Sequence, residues 1–362
     1  MKGWLQKCLR DHKLCCLNDA NKESLPTRLI DMGNIDGPRL VVCKEEGMDI
    51  QKAQYVTVSH RWRQEGMPKL LRSNAETLKQ RIDPTILPLA FQDSLILAKR
   101  LDIRYIWIDA LCILQDDESD WERESSIMGQ VYRNAVCNFG ASAAAKKPVG
   151  LFIDRDPRLA SAFSVSIHRK GHEEKYFGYT EQMHDDVLKT NLSDRGWILQ
   201  ERLLSPRSVY FGQQLTWECS ELVACETFPE GTPATRYLSP WGRSGYPFRM
   251  TNLLLKNLKY THKDEEQHET KEIYRKWLYI AEEFMKCRLT YEDDRFPALS
   301  GLAKCFQQVL NDEYVAGLWR NDLLRGLLWR TRPNTRNLPL KGHAPYPSTY
   351  RGKPTMIASP KV

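Results

Sequence analysis

The chain has 362 residues, which is enough for about two domains and for a buried core that needs no covalent staples. Hydrophobic residues make up 41% and charged residues 27%, which excludes a disordered or fibrous chain. No stretch approaches the ~18 uninterrupted apolar residues of a membrane span. The first residues run into Lys7 and Arg10 without the apolar core of a secretory signal, so we expect a cytoplasmic protein with no membrane span.

The formal net charge of +7 lies in the C-terminal part of the chain. Residues 323–362 hold eight Lys or Arg and no acidic residue, which leaves 45 basic against 46 acidic residues before them. The main body is therefore neutral and lacks the basic surface that nucleic-acid binding requires, so we expect no nucleic-acid partner. Residues 331–362 are rich in proline, and we expect no fixed structure there.

The ten cysteines have irregular spacing and form no Cys-x-x-Cys pair. In a chain without a secretory signal we expect them to stay reduced, several as small core residues. His168 and His172 are four apart, but no cysteine or carboxylate cluster accompanies them. We therefore expect no metal site and no cofactor.

The first half of the chain alternates strand and helix patterns. Residues 1–50 are a lead-in rich in turn signals, with a short edge strand at 40–43. A β-branched run at 55–59 predicts the first core strand, and an apolar stripe beginning near Pro88 predicts a helix. A strand at 104–109, a helix at 119–132 capped by Asp117 or Ser119, and a strand at 136–140 follow. This order predicts an α/β fold with a mostly parallel sheet flanked by helices.

The second half is predicted to be mainly helical. A capped helix at 193–205 leads into a hairpin formed by residues 208–211 and 215–219. Helical patterns follow at 252–287 and 296–310. We therefore divide the chain into residues 1–50, 51–203, 204–330 and 331–362, of which 204–330 is the mainly helical part.

Polar and aromatic side chains follow two predicted parallel strands. The first strand delivers Ser59, His60 and Trp62, and the second carries Trp107 and ends at Asp109. Ligands bind beyond the carboxyl ends of such strands, so we expect both sets to meet in one crevice together with Gln115 and Asp116.

Glu124 is an acid on an otherwise apolar helix face, which it shares with Trp121, Met128 and Val131. An unpaired carboxylate there would cost several kcal/mol. Glu124 is therefore either paired with an arginine or kept for function with a perturbed pKa. Further along, Arg195 and Glu201 either reach the crevice or pair within their own helix.

Several enzyme classes are disfavoured by the motifs. Ser59 and His60 are neighbours in a strand, so their side chains point to opposite faces and cannot form a nucleophilic dyad. The chain contains no Gly-x-Ser-x-Gly, no Walker loop and no Gly-x-Gly-x-x-Gly. ATP chemistry and dinucleotide redox chemistry are thus not expected.

Four blocks in order, at residues 55–62, 105–117, 120–132 and 195–205, closely resemble the fungal heterokaryon incompatibility (HET) domain. The resemblance assigns residues 51–203 to that domain. It implies a role in nonself recognition and programmed cell death, and a distant similarity to Toll/interleukin-1 receptor (TIR) domains, whose sheet is flavodoxin-like. Some TIR domains cleave NAD through a glutamate on a helix after a central strand, and Glu124 lies on a comparable helix.

The resemblance thus implies a site for NAD as a substrate rather than a cofactor. Glu124 and Asp109 would be catalytic. The substrate-binding residues would be Ser59, His60, Trp62, Trp107, Gln115, Asp116, Arg195 and Glu201. The alternative is a non-enzymatic module that forms a homo-oligomer through the HET domain and causes death through a protein partner. A third reading, suggested by Arg61 and Arg63, is a relative with neither activity.

Overall fold

The computed structural model describes residues 1–16, 24–33, 37–62, 66–144, 149–161, 163–169, 172–178, 190, 192–231 and 266–328. The chain divides into two compact units, Met1–Asn311 and Asp312–Val362. In the second unit, strands β11 (Tyr314–Val315) and β12 (Leu318–Trp319) pair antiparallel and are followed by the short helix α10 (Leu323–Gly326).

The first unit holds the main sheet and the longer helices. Its helices are α1 (Lys2–Asp11), α2 (Lys13–Cys16), α3 (Ala75–Gln80), α4 (Leu89–Arg100), α5 (Asp109–Cys112), α6 (Glu118–Asn134), α7 (Gly196–Leu204), α8 (Glu266–Lys286) and α9 (Pro297–Leu310). Its strands are β1 (Arg28–Asp31), β2 (Arg39–Val42), β3 (Tyr55–Ser59), β4 (Tyr105–Trp107), β5 (Cys137–Gly140), β6 (Phe163–Arg169), β7 (His172–Gly178), β8 (Arg207–Phe211), β9 (Leu215–Cys219) and β10 (Val223–Cys225).

Eight of these strands form one sheet in the order β10-β9-β8-β5-β3-β4-β1-β2. The four central strands β4, β3, β5 and β8 are parallel, and the pairs outside them are antiparallel. Six of the eight strands therefore run in the same direction. The predicted α/β class with a mostly parallel sheet is confirmed.

The strand order places a ligand-binding position within this sheet. Numbered along the chain, the four parallel strands have the spatial order 2-1-3-4, which is the flavodoxin-like arrangement. The order reverses between β3 and β5, so the crevice of such a sheet opens beyond Ser59 and Gly140, the last residues of these strands. The sheet thus puts Ser59 at the topological switch point.

Local sequence explains the elements that hold these strands. Every residue of β3 is buried, which suits its β-branched composition at the centre of a sheet covered on both faces. Helix α4 begins immediately after Pro88. Helix α6 is capped by Asp117, whose side chain accepts hydrogen bonds from the backbone N–H of Ser119 and Asp120. These elements confirm the strand and helix predictions between residues 55 and 140, whereas α1, α2 and β1 in the lead-in were not predicted.

The second half of the chain takes part in the sheet more than we predicted. The β8–β9 hairpin is present as expected. In the first half of the chain, β2 is the edge strand that we predicted. However, β8 pairs parallel with β5, so the sheet continues past the predicted boundary at residue 203. The lead-in likewise contributes β1 and β2. Residues 252–265 and 331–362 lie outside the described residues, while helices α8 and α9 agree with the helical patterns.

The N-terminal helix α1 packs against strand β9 of this sheet. The rings of Trp4 and Trp217 are 6.4 Å apart, and the Trp4 indole donates a hydrogen bond of 2.7 Å to the backbone oxygen of Pro229. Across the described residues, every helix is too short or too polar to cross a membrane.

Candidate functional site

A buried network joins the ends of β3 and β5 to helix α7. The Ser59 hydroxyl donates a short hydrogen bond to the Glu201 carboxylate. Ser59 also lies 2.9 Å from the side-chain nitrogen of Asn138 on β5, and the Thr57 hydroxyl donates to the Asn138 oxygen at 3.0 Å. The Tyr132 hydroxyl, at the end of α6, is a further hydrogen-bond partner of Glu201. Four elements therefore converge on one acid.

A second acid lies at the end of β4. Asp109 accepts a 2.7 Å hydrogen bond from the Trp62 indole and another of 2.7 Å from the backbone N–H of Ala110. Its other neighbour is His60, whose Nδ1 is 3.4 Å from the Asp109 Oδ1. The Asp109 side chain is 18% exposed, whereas Glu201 is buried. Ser59, His60, Asp109 and Glu201 together are called the strand-end cluster below.

The electrostatics of the strand-end cluster follow from burial. Burial raises the pKa of Glu201 to about 7, the Asp109 charge adds to this rise, and the hydrogen bond from Ser59 and the Arg195 charge oppose it. Burial also lowers the pKa of His60, against the attraction of Asp109, so the neutral imidazole is favoured. At neutral pH the cluster can therefore hold or release a proton at Glu201.

One buried ring nitrogen at this edge, the indole nitrogen of Trp107, has no hydrogen-bond partner among the described residues. The His60 imidazole beside it has the backbone of Val58 and the Asp109 carboxylate as its polar neighbours. His60 packs edge-on against Phe91 at 4.7 Å, and Trp107 packs edge-on against Tyr132 at 5.5 Å. Buried polar groups are nearly always paired in proteins, so the Trp107 nitrogen marks a place where a ligand group could be accepted.

The remaining predicted binding residues have structural partners. Gln115 donates to the backbone oxygens of Ile113 and Asp109, at 2.8 and 3.2 Å. Asp116 is exposed and accepts from the backbone N–H of Arg72 at 3.0 Å. Arg195 donates to the His60 backbone oxygen at 2.7 Å. Arg195 thus reaches the cluster, whereas Gln115 and Asp116 shape the loop after α5.

Glu124 lies in a different group of charges. Its carboxylate is 3.5 Å from Arg123 Nε, and burial raises its pKa while Thr27, Arg28 and Arg123 oppose the rise. Glu124 precedes Tyr132 by eight residues on α6, which corresponds to about 12 Å along the helix. Among the described residues, no recorded contact joins Glu124 to Ser59 or Asp109. Glu124 has both an arginine 3.5 Å away and a raised pKa, so the paired and the functional alternatives for it both stay open.

Sequence reasoning missed Asn138 and Tyr132 as members of this network and named Glu201 as a substrate-binding residue rather than as an acid or base. Asn138 had a signal, because an asparagine in the middle of an apolar strand needs a hydrogen-bond partner. Tyr132 had none, since it continues the apolar face of α6. The choice of Glu201 over Glu124 depends on which helix crosses the strand ends, and that is a tertiary property.

Residues 55–201 match the family described as heterokaryon incompatibility protein (HET). The matched segment begins with the first residue of β3 and ends at Glu201, so it contains the whole strand-end cluster. No curated protein and no solved structure matches the chain significantly. Residues 55–201 are therefore similar to a heterokaryon incompatibility domain.

Proposed function

We propose that this chain is a fungal heterokaryon incompatibility effector that acts in the cytoplasm and kills the cell by hydrolysing NAD at the strand-end cluster. NAD is the substrate in this proposal and no redox chemistry takes place. The reaction breaks the bond between nicotinamide and its ribose, and water adds to the ribose carbon. Nicotinamide and ADP-ribose are the products.

The roles of the acids follow from their exposure. Asp109 has the more accessible carboxylate of the cluster, so it is the group that would stabilise positive charge developing on the ribose as nicotinamide leaves. Glu201 lies behind it, near its own pKa at neutral pH, and would accept the proton of the attacking water through Ser59. Trp62 would cover one face of a bound ring.

The observation that carries the proposal is the pair of acids, Asp109 and Glu201, at the edge where flavodoxin-like sheets bind nucleotides. Two neighbouring acids, one of them with a raised pKa, are typical of a functional site rather than of a simple ion pair. Close to them, the buried indole nitrogen of Trp107 has no partner in the described part of the chain.

A second candidate is a non-enzymatic module that self-associates and signals through a protein partner. It is favoured by an exposed apolar face on α4, where Leu89 is 54% and Ile96 46% exposed and lie two turns apart. Phe152 is 49% exposed, and its backbone N–H donates a hydrogen bond to Asp93 of the same helix. Such a patch is typical of an association surface.

The test compares two buried helix glutamates in the full-length protein. Purified wild type is incubated with NAD at several protein concentrations, and nicotinamide release is followed by chromatography. We expect Glu201→Gln and Asp109→Asn to lose release by about 100-fold or more. Glu124→Gln is the matched control and should retain most of it, because Glu124 lies outside the cluster.

The two candidates predict different outcomes in cells. If the wild type releases no nicotinamide yet kills cells on expression, and Glu201→Gln kills equally at equal protein level, the enzymatic proposal is wrong and the signalling module is supported. If Leu89→Asp releases nicotinamide like the wild type but no longer kills cells, self-association is a step that follows catalysis. Circular dichroism of each variant checks that the fold is kept.

A further inference from the structure

Four potential metal ligands meet where the N-terminal helices contact the end of strand β9. Cys8, His12 and Cys15 come from the N-terminal helices, and Cys219 is the last residue of β9. One ligand atom of each residue lies within 4.8 Å of the other three. The three cysteines are buried and His12 is 9% exposed. This group is called the Cys3His cluster below.

The local helix geometry explains how three of these side chains face one point. Cys8 lies on α1 and His12 is the residue that directly follows this helix, where its backbone N–H donates to the Cys8 oxygen at 3.3 Å and so keeps the two residues close. The single turn of α2 then brings Cys15 back toward His12. The spacing Cys-x3-His-x2-Cys thus supplies three of the four ligands from local structure alone.

Two sulfur–nitrogen distances within the Cys3His cluster are close to the edges of a tetrahedral site. The Nδ1 atom of His12 lies 3.3 Å from the Cys219 sulfur and 3.8 Å from the Cys15 sulfur. A tetrahedral Zn²⁺ ion with ordinary bond lengths separates a sulfur from a nitrogen ligand by about 3.6 Å and two sulfurs by about 3.8 Å. Each observed pair is within a few tenths of an ångström of these values.

The charge around the cluster also fits a metal thiolate centre. Three thiolates and a neutral imidazole around Zn²⁺ carry a net charge of −1. Arg207 is fully buried beside them and donates from Nε to the Cys8 sulfur at 3.2 Å. It also donates to the Cys15 backbone oxygen at 3.3 Å. The guanidinium would make the centre neutral overall and orient its ligands, as outer partners do in known metal sites.

We propose that Cys8, His12, Cys15 and Cys219 bind one structural Zn²⁺ ion. Four protein ligands fill the tetrahedral coordination sphere, so the ion has no open position for a substrate and its role is to hold the fold together. We expected no metal from the sequence. The overlooked signal was the Cys-x3-His-x2-Cys spacing, and the fourth ligand could not be found because it lies 204 residues after Cys15.

The ion would fasten the first sixteen residues to the sheet. Other links between these parts include the Trp4–Trp217 ring contact, the hydrogen bonds of Arg207 to Cys8 and Cys15, and the exposed ion pair of Lys7 with Glu230, which contributes little. A metal bond network between α1, α2 and β9 is much stronger than these. The proposal is independent of NAD hydrolysis, since none of its ligands belongs to the strand-end cluster.

The test is the metal content and coordination of the full-length protein. The chain is expressed without a histidine tag in medium with added zinc, and the metal is quantified by mass spectrometry. We expect about one zinc per chain in the wild type and at least a tenfold lower content in Cys219→Ser and in Cys8→Ser. The matched control is Cys43→Ser, which changes an equally buried cysteine outside the cluster and should keep the full zinc content.

Cobalt exchange keeps the proposal testable where a serine variant fails to fold. Wild-type protein in which Co²⁺ replaces the native metal should show the sulfur-to-cobalt charge-transfer and visible bands of tetrahedral thiolate coordination. A strong chelator should lower the melting temperature of the wild type, and added zinc should restore it. Wild-type protein with less than about 0.1 zinc per chain, or an octahedral cobalt spectrum without charge transfer, would show that the Cys3His cluster is not a metal site.

Discussion

The Ser59 hydroxyl donates its hydrogen bond to the carboxylate of Glu201, a residue 142 positions further along the chain. This contact joins the end of the central strand β3 to the middle of helix α7, and both partners are buried. The bond fixes the glutamate at the switch point of the sheet, next to the charge of Asp109. The acid that matters for the chemistry proposed here is thus defined by a long-range contact.

Glu201→Gln should change how stability depends on pH. Burial raises the pKa of Glu201 from 4.5 to about 7, so the folded protein binds a proton more tightly than the unfolded chain does. The free energy of unfolding of the wild type therefore falls between pH 4.5 and pH 7, by about 3 kcal/mol from this group. Glu201→Gln stays neutral and should lack that fall, which urea unfolding at a series of pH values measures.

Glu122→Gln serves as the control, because Glu122 is exposed on α6. Its pH dependence of unfolding should follow that of the wild type. If Glu201→Gln and the wild type lose the same stability between pH 4.5 and pH 8, Glu201 is not titrating in this range.

Ser59→Ala should raise the pKa of Glu201 above its value of about 7. The serine hydroxyl donates to the carboxylate and thereby favours its charged form, so removing it makes deprotonation harder. The pH range in which the wild type loses stability should extend upward in the variant. Thr57→Val is the control, since the Thr57 hydroxyl binds Asn138 and not Glu201, and a shift of the same size there would contradict the assignment.

Arg28→Met should destabilise the fold by about 3 kcal/mol. The Arg28 guanidinium donates to both oxygens of the buried Asp120, at 2.8 and 3.0 Å, and its removal leaves a buried carboxylate without this partner. The exposed pair of Arg275 with Glu272 gives a comparison, because Arg275→Met should cost less than about 1 kcal/mol. Chemical denaturation measures both, and equal losses would contradict a special role for the buried pair.

Gly129→Ala should destabilise the packing of α6 against α9 by about 1 to 3 kcal/mol. An added Cβ would lie 2.9 Å from the backbone Cα of Gly301 and 3.0 Å from a methyl group of Leu204. Gly3→Ala in α1 has nothing within 4 Å of its new Cβ and should leave stability unchanged or raise it by up to about 1 kcal/mol. Thermal unfolding measures the stability of both variants. Equal stability of Gly129→Ala and Gly3→Ala would mean that α6 and α9 can move apart without a cost in free energy.

Local sequence determined the elements of this protein. The β-branched run of β3, Pro88 before α4 and Asp117 before α6 all act within a few residues, so the strand and helix order could be predicted from them. The parallel sheet followed, because alternating strands and helices have few other ways to bury their apolar faces.

The tertiary structure decided which side chains meet. Glu124 and Glu201 are both acids on helices in the sequence, and only the crossing of α7 over the strand ends selects Glu201. In the same way, β9 brings Cys219 to Cys8, His12 and Cys15. Contacts over 142 or 204 residues leave no periodic trace in the chain, since they arise from the packing of whole elements rather than from the conformation of neighbouring residues.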